Sequence, residues 1–125
     1  MNWPAIGSLL LALAVCMGAF GAHVLRDRLD AYQMSVYEKA VFYHFIHALG
    51  ILAVTLLARS RAIPAASLPL IAFLLFIGIV LFSGSLYALA LSGVRTLGII
   101  TPFGGVAFIA GWLVLTYELL RAPRL

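Results

Sequence analysis

A chain of 125 residues with 65% hydrophobic and only 10% charged side chains, at a mean hydropathy of +1.15, lies far from soluble domains, in which about a quarter of residues are charged. Its net charge of +4 is spread over short polar stretches and its one cysteine is Cys16, which excludes a clustered nucleic-acid surface and an internal disulfide. At roughly 20 apolar residues per crossing, four spans nearly exhaust the length, so the composition predicts one all-α integral membrane domain over residues 1–125.

The first span is expected over residues 3–22. Trp3 suits a membrane interface and Pro4 a first helical turn, where its missing N–H costs little. No Lys or Arg precedes the apolar run, so it reads as a retained span; a signal peptide opens with basic residues. Gly7, Leu11, Ala14, Gly18 and Gly21 recur at steps of four and three, a stripe of mostly small residues that lets another helix approach closely. Beyond it, Leu25, Leu29, Tyr32 and Val36 alternate with Arg26, Asp27, Asp30 and Gln33. This pattern predicts a short amphipathic helix lying along the interface between spans one and two.

Ser35 and Glu38 stand in capping-box spacing, which places the second span over residues 36–58, closed by Arg59-Ser60-Arg61 and a turn at Ile63-Pro64. The third span is expected over 69–92, from Pro69, with Gly78, Leu81, Ser85, Ala88, Ser92 and Arg95 again three and four apart. Thr101 and Pro102 suit the N-cap and first position of a fourth span over 102–120, which carries Gly104, Ala107, Gly111, Val114 and Glu118 on one face. Residues 93–100 then form an apolar connection that dips into the membrane; the competing geometry is a helix that starts earlier and kinks at Pro102. Two αα-hairpins of this kind make a four-transmembrane-helix bundle.

Basic residues divide evenly between the two ends, with Arg59, Arg61, Arg121 and Arg124 on the side of the termini and Arg26, Arg28, Lys39 and Arg95 on the other. With Lys39 inside the second helix and Arg95 drawn to the bundle, the positive-inside rule favours both termini in the cytoplasm.

Few residues offer chemistry. His44 and His47 lie three apart near mid-membrane, where an ionisable group suggests function, whether a proton relay, a metal or haem site, or a hydrogen bond across helices. A metal wants three or four ligands, and carboxylates are scarce. Arg95 lies beside the presumed helix start at Thr101, whose free N–H groups and positive end attract anions. Arg95, His23, Thr101, Gly104 and Gly105 therefore form a candidate seat for an anionic lipid or small anion, with a snorkelling Arg95 as the alternative. Glu118 is expected to pair with Arg121, Arg59 or Arg61. No nucleophile elbow, phosphate loop, zinc motif or carboxylate pair is present, so neither catalytic residues nor a cofactor nor a metal is expected.

Gly18-Ala-Phe-Gly-Ala-His23, the segment from Tyr43 to Leu49, Phe82-Ser-Gly-Ser-Leu-Tyr87, and Thr101-Pro-Phe-Gly-Gly105 with Ala110-Gly-Trp112 resemble the YgdD and YwdK family of small inner-membrane proteins. That family carries domain of unknown function 423 and has animal relatives, transmembrane protein 256. The resemblance spans nearly the whole chain and implies a four-span bacterial inner-membrane protein, without implying an activity. Its pattern falls on His23, Tyr43, His47, Ser83, Ser85, Tyr87, Arg95, Thr101, Pro102, Gly104 and Gly105. Position 44 departs from it, since relatives such as YgdD carry glutamine where this chain has His44. That weakens a histidine-pair site and points to an intramembrane polar cluster of Tyr43, His47, Ser83, Ser85 and Tyr87. Together these readings predict a non-enzymatic bundle with membrane lipids, and a second copy of itself, as partners. A small oligomeric transporter is the alternative, with a redox or haem module behind it.

Overall fold

The computed structural model describes residues 1–124 and contains four helices long and apolar enough to cross a membrane: α1 (Trp3–Leu25), α2 (Ala31–Arg59), α3 (Ala65–Ser92) and α4 (Arg95–Arg121). The Asn2 side chain accepts the Ala5 N–H at 3.2 Å and so caps α1. Trp3 is buried against Phe76, ring centres 6.4 Å apart, so it anchors the core and does not face an interface.

The amphipathic interfacial helix expected between the first two spans is absent. Helix α1 continues through one wide turn, Gly21–Leu25, and a short turn leads into α2, which starts five residues earlier than the Ser35 spacing predicts. The capping box is Asp30 with Gln33: the Gln33 N–H donates to Asp30 at 2.7 Å and the Asp30 N–H to Gln33 at 3.3 Å. Ser35 instead donates to the Tyr32 carbonyl at 2.8 Å. The physical reason lies in the apolar face of this segment. Leu25 and Val36 are buried with Tyr37, Ala40, Leu86 and Leu89, and Leu29 packs on the same cluster; the face assigned to lipid is satisfied inside the protein.

At the other loops, α3 opens with a tight turn at Ala65–Ser67 before its α-helical winding begins at Leu68, with Pro69 in the first turn. Gly93, at φ 75°, ends α3 in the left-handed conformation that glycine adopts without strain. Only two residues then separate α3 from α4, whose first turn, Arg95–Ile99, is tightly wound. The earlier start is therefore the one adopted, and residues 93–100 do not form a membrane-dipping loop.

Helix α1 packs along α2, α2 along α3 and α3 along α4, whereas α1 and α4 share no comparable interface. On α2, Val41, Phe45 and Leu52 meet α1 at Gly18 and Gly7. Tyr43 and His47 meet Phe108 of α4, and Gly50 meets Trp112. Between these faces, the Ala40 carbonyl and His44 are bonded to Ser83 and Tyr87 of α3. The bundle is thus a rhombus, with α2 and α3 as the central pair and α1 and α4 at the outer corners. Ile51, Val54, Ile71 and Leu75 fill the centre with essentially no exposure. Because lipid tails are as apolar as leucine, such packing stabilises through close contact and dispersion. The small-residue stripes serve it within the chain: Gly21 lies on the Tyr37 ring, Gly78 on the Phe108 ring, Gly104 on the Phe82 backbone and Gly111 on Leu75.

Candidate functional site

The residues singled out in the sequence fall into separate places. Arg95 is exposed and its guanidinium lies 4.3 Å from the centre of the Tyr32 ring, a cation–π contact between the first turns of α4 and α2. His23 is exposed at the end of α1, and among the described residues no hydrogen bond joins it to Arg95, Thr101, Gly104 or Gly105. Thr101 does not cap a helix. Its hydroxyl shares a 2.6 Å hydrogen bond with Ser85, and since Ser85 donates to the Phe82 carbonyl at 2.9 Å, Thr101 is the donor. The N–H groups that would have greeted an anion are partly used by the tight first turn, with Ile100 bonded to Leu97 and Phe103 to Ile100, each at 3.1 Å. Gly104 is filled by the Phe82 backbone and Gly105 faces the Phe82 ring at 3.9 Å. Among the described residues no side-chain hydrogen bond joins any of the five to another.

The intramembrane polar residues likewise divide. Ser83 is buried and donates to the Ala40 carbonyl at 2.8 Å. His47 binds the Tyr43 carbonyl through Nδ1 at 2.8 Å, and its ring stacks on Phe108 at 3.5 Å between Tyr43 and Trp112, each 5.8 Å away. Tyr87 pairs with His44, Oη to Nδ1 at 2.9 Å. His44 and His47 thus face different neighbours and form no shared ligand pair; among the described residues no group of three His, Cys, Asp or Glu could hold a metal. His44, left out of the predicted cluster, is 4% exposed and its Nε2 has no hydrogen-bond partner.

The feature that sequence reading missed is at the opposite end. There the loop after α2 folds against the end of α4 and leaves a two-lobed cleft. The inner lobe, about 450 Å³, is walled by Arg61, Ile63, Pro64, Glu118 and Arg121. The outer lobe, about 670 Å³, is walled by Leu57, Ser60, Leu119, Leu120 and Arg124. Arg61, Ala62, Ala122 and Pro123 belong to both. Arg61 is held at φ 63°, among the described residues the one non-glycine residue of positive φ, a conformation that costs of order 1 kcal/mol and persists where neighbouring structure imposes it. Glu118 does not take one of the arginines expected for it as its hydrogen-bond partner. Ser67 donates to its Oε1 at 2.9 Å, while Arg121 turns to Tyr117, bonding its hydroxyl at 3.3 Å with the guanidinium 5.3 Å from the ring centre. Arginines beside leucines make a cleft suited to a phosphate on an apolar stem. The sequence signal was present in Arg59-Ser60-Arg61 and the C-terminal arginines, but their meeting depends on the loop.

The family described as "Protein of unknown function (DUF423)" matches residues 17–105. A UPF0382 membrane protein of Staphylococcus epidermidis is 50% identical over 116 residues, covering 93% of each chain. The UPF0382 membrane protein SSP2132 of Staphylococcus saprophyticus is 49% identical over 88% of this chain and 89% of its own. The UPF0382 membrane protein YwdK of Bacillus subtilis is 44% identical over the same shares. No solved structure matches. With a profile that covers most of the chain and membrane-protein relatives aligned over nearly all of it, the protein belongs to the DUF423 family, a membrane-protein family of unknown function.

Proposed function

We propose that the protein is a non-enzymatic inner-membrane bundle that binds the phosphate of a membrane phospholipid, and that its seat is the cleft between the α2–α3 loop and the end of α4. The observation that carries this reading is the arginine-walled cleft itself, with Arg61 shared by both lobes and Leu57, Leu119 and Leu120 lining the outer lobe with Arg124. Guanidinium groups present paired donors that match phosphate oxygens, and leucines at that depth accept the start of an acyl chain. The Arg95 region offers less, because its guanidinium is already engaged by Tyr32. The charge pattern supports both termini in the cytoplasm. The end bearing them sets four arginines against the single carboxylate of Glu118, whereas the far end offsets its four basic residues with Asp27, Asp30 and Glu38.

The test is native mass spectrometry of the full-length protein in detergent titrated with phosphatidylglycerol. At about 1 kcal/mol for each arginine near the surface, replacing Arg61 and Arg124 together by glutamine is expected to weaken retention by at least tenfold, while Arg95→Gln leaves it unchanged. A wild-type protein that retains no lipid, or a double variant that retains it equally well, overturns the reading.

A further inference from the structure

The two lobes differ in chemistry, and that difference names a headgroup. The outer lobe has Arg61, Arg124 and Ser60 beside leucines and, among the described residues, no carboxylate in its wall. The inner lobe adds Glu118, half-buried and fixed by the Ser67 hydroxyl through Oε1. A carboxylate accepts hydrogen bonds and cannot donate them, so a lipid phosphate pressed into the inner lobe would meet like charge. Arg121, the cation nearest in sequence, is held by the Tyr117 hydroxyl and ring. Arg61 also lines the inner lobe, but among the described residues no arginine is bonded to Glu118, whose partner is Ser67.

Resting on the cleft being a phospholipid seat, we infer that its ligand is a phosphoethanolamine lipid. The phosphate lies between Arg61 and Arg124 in the outer lobe, and the ammonium crosses the Ala122–Pro123 wall to Glu118 in the inner one. The ethylene linker between phosphate and ammonium is short, as a wall shared by both lobes requires. The leucines seat the glycerol and acyl end, which commits the ligand to the lipid and not to a free headgroup. Ser67 is a positioning residue, holding the carboxylate without touching the ligand.

The experiment compares phosphatidylethanolamine with phosphatidylmethanol of the same chains. Both carry a phosphodiester, and phosphatidylmethanol has no donor beyond it. Binding is read on the full-length protein by native mass spectrometry and by competition in detergent, with water-soluble glycerophosphoethanolamine as the chain-free arm. Wild type is expected to prefer phosphatidylethanolamine by about fivefold, the upper range for a partly exposed ion pair. Glu118→Gln is expected to remove that preference while keeping the affinity for phosphatidylmethanol and the melting temperature. Ser67→Ala should reduce the preference partially, and glycerophosphoethanolamine should compete at least tenfold more weakly than the lipid. Equal binding of the two lipids by wild type, or a preference that survives in Glu118→Gln, overturns the headgroup assignment with the phosphate seat intact. Competition by glycerophosphoethanolamine as strong as by the lipid overturns the commitment to a lipid. Failure of the seat itself has a different signature: loss of both lipids' binding in wild type, or no effect of Arg61→Gln on either.

Discussion

Gly104→Ala is expected to lower the stability of the folded protein by about 3 kcal/mol, the upper range for adding a methyl group to a closed contact. A β-carbon at residue 104 would lie 2.8 Å from the Phe82 α-carbon and 2.7 Å from its β-carbon, and closer still to the Phe82 amide nitrogen. Backbone cannot swing aside as a side chain can, so α3 and α4 must separate. Phe82 belongs to the wide turn of α3 at Ile79–Ser83, and here α4 lies against the backbone of α3. The neighbouring glycine gives the control. A β-carbon at Gly105 would meet the Phe82 ring at 3.9 Å, an ordinary contact, so Gly105→Ala is expected to be neutral or stabilising by up to about 1 kcal/mol through helix propensity. Equilibrium unfolding in mixed micelles with rising dodecyl sulfate reads both. Equal effects of the two substitutions would mean that α4 does not lie on the Phe82 backbone.

That pair of glycines also shows what the sequence could convey. Thr101-Pro-Phe-Gly-Gly105 reads as a helix start against which an anion could lie, because two glycines in its first turn permit a close approach. The close approach is real at Gly104, but what approaches is the backbone of α3. Small residues record that something comes near without recording what. The spans themselves were legible, since runs of apolar residues leave a chain no other arrangement in a bilayer. Their boundaries were less so. Ser35 with Glu38 and Asp30 with Gln33 carry the same spacing of cap and partner, and the choice between them rests on Leu25 and Val36 being buried, which is a tertiary fact.

The candidate site was less legible still, for the same reason. Arg61 stands far from Glu118 and Arg124 in the chain and shares a cleft wall with each only because the loop after α2 turns back on the end of α4. Each arginine alone reads as an ordinary interfacial charge. The stripe Gly7 to Gly21 predicts the close approach of another helix, and Gly7, Gly18 and Gly21 all lie on α2 of the same chain. An oligomer, if formed through helix packing, must use other surfaces.

The pairing of His44 with Tyr87 yields the second large effect. Tyr87→Phe is expected to cost about 2 kcal/mol, the penalty for leaving a buried polar group without its partner, because the hydroxyl is the side-chain partner of His44. The bond satisfies only half of the imidazole. If Tyr87 donates to Nδ1, the proton sits on Nε2, which has no acceptor; if Nδ1 donates, the Nε2 lone pair is unmatched. With Tyr87 gone, both nitrogens are stranded in apolar surroundings. Removing both partners should therefore cost less than the single changes predict. His44→Leu with Tyr87→Phe is expected to show a coupling energy of about 1–2 kcal/mol in a double-mutant cycle, measured by the same micelle unfolding. His44→Gln, whose amide both donates and accepts, should keep a bond to Tyr87 and fall within about 1 kcal/mol of wild type. Additive losses from the two single changes would show that the histidine is held by its packing against α3 and not by the tyrosine, and the junction of α2 with α3 would then be apolar in its energetics despite the polar groups it contains.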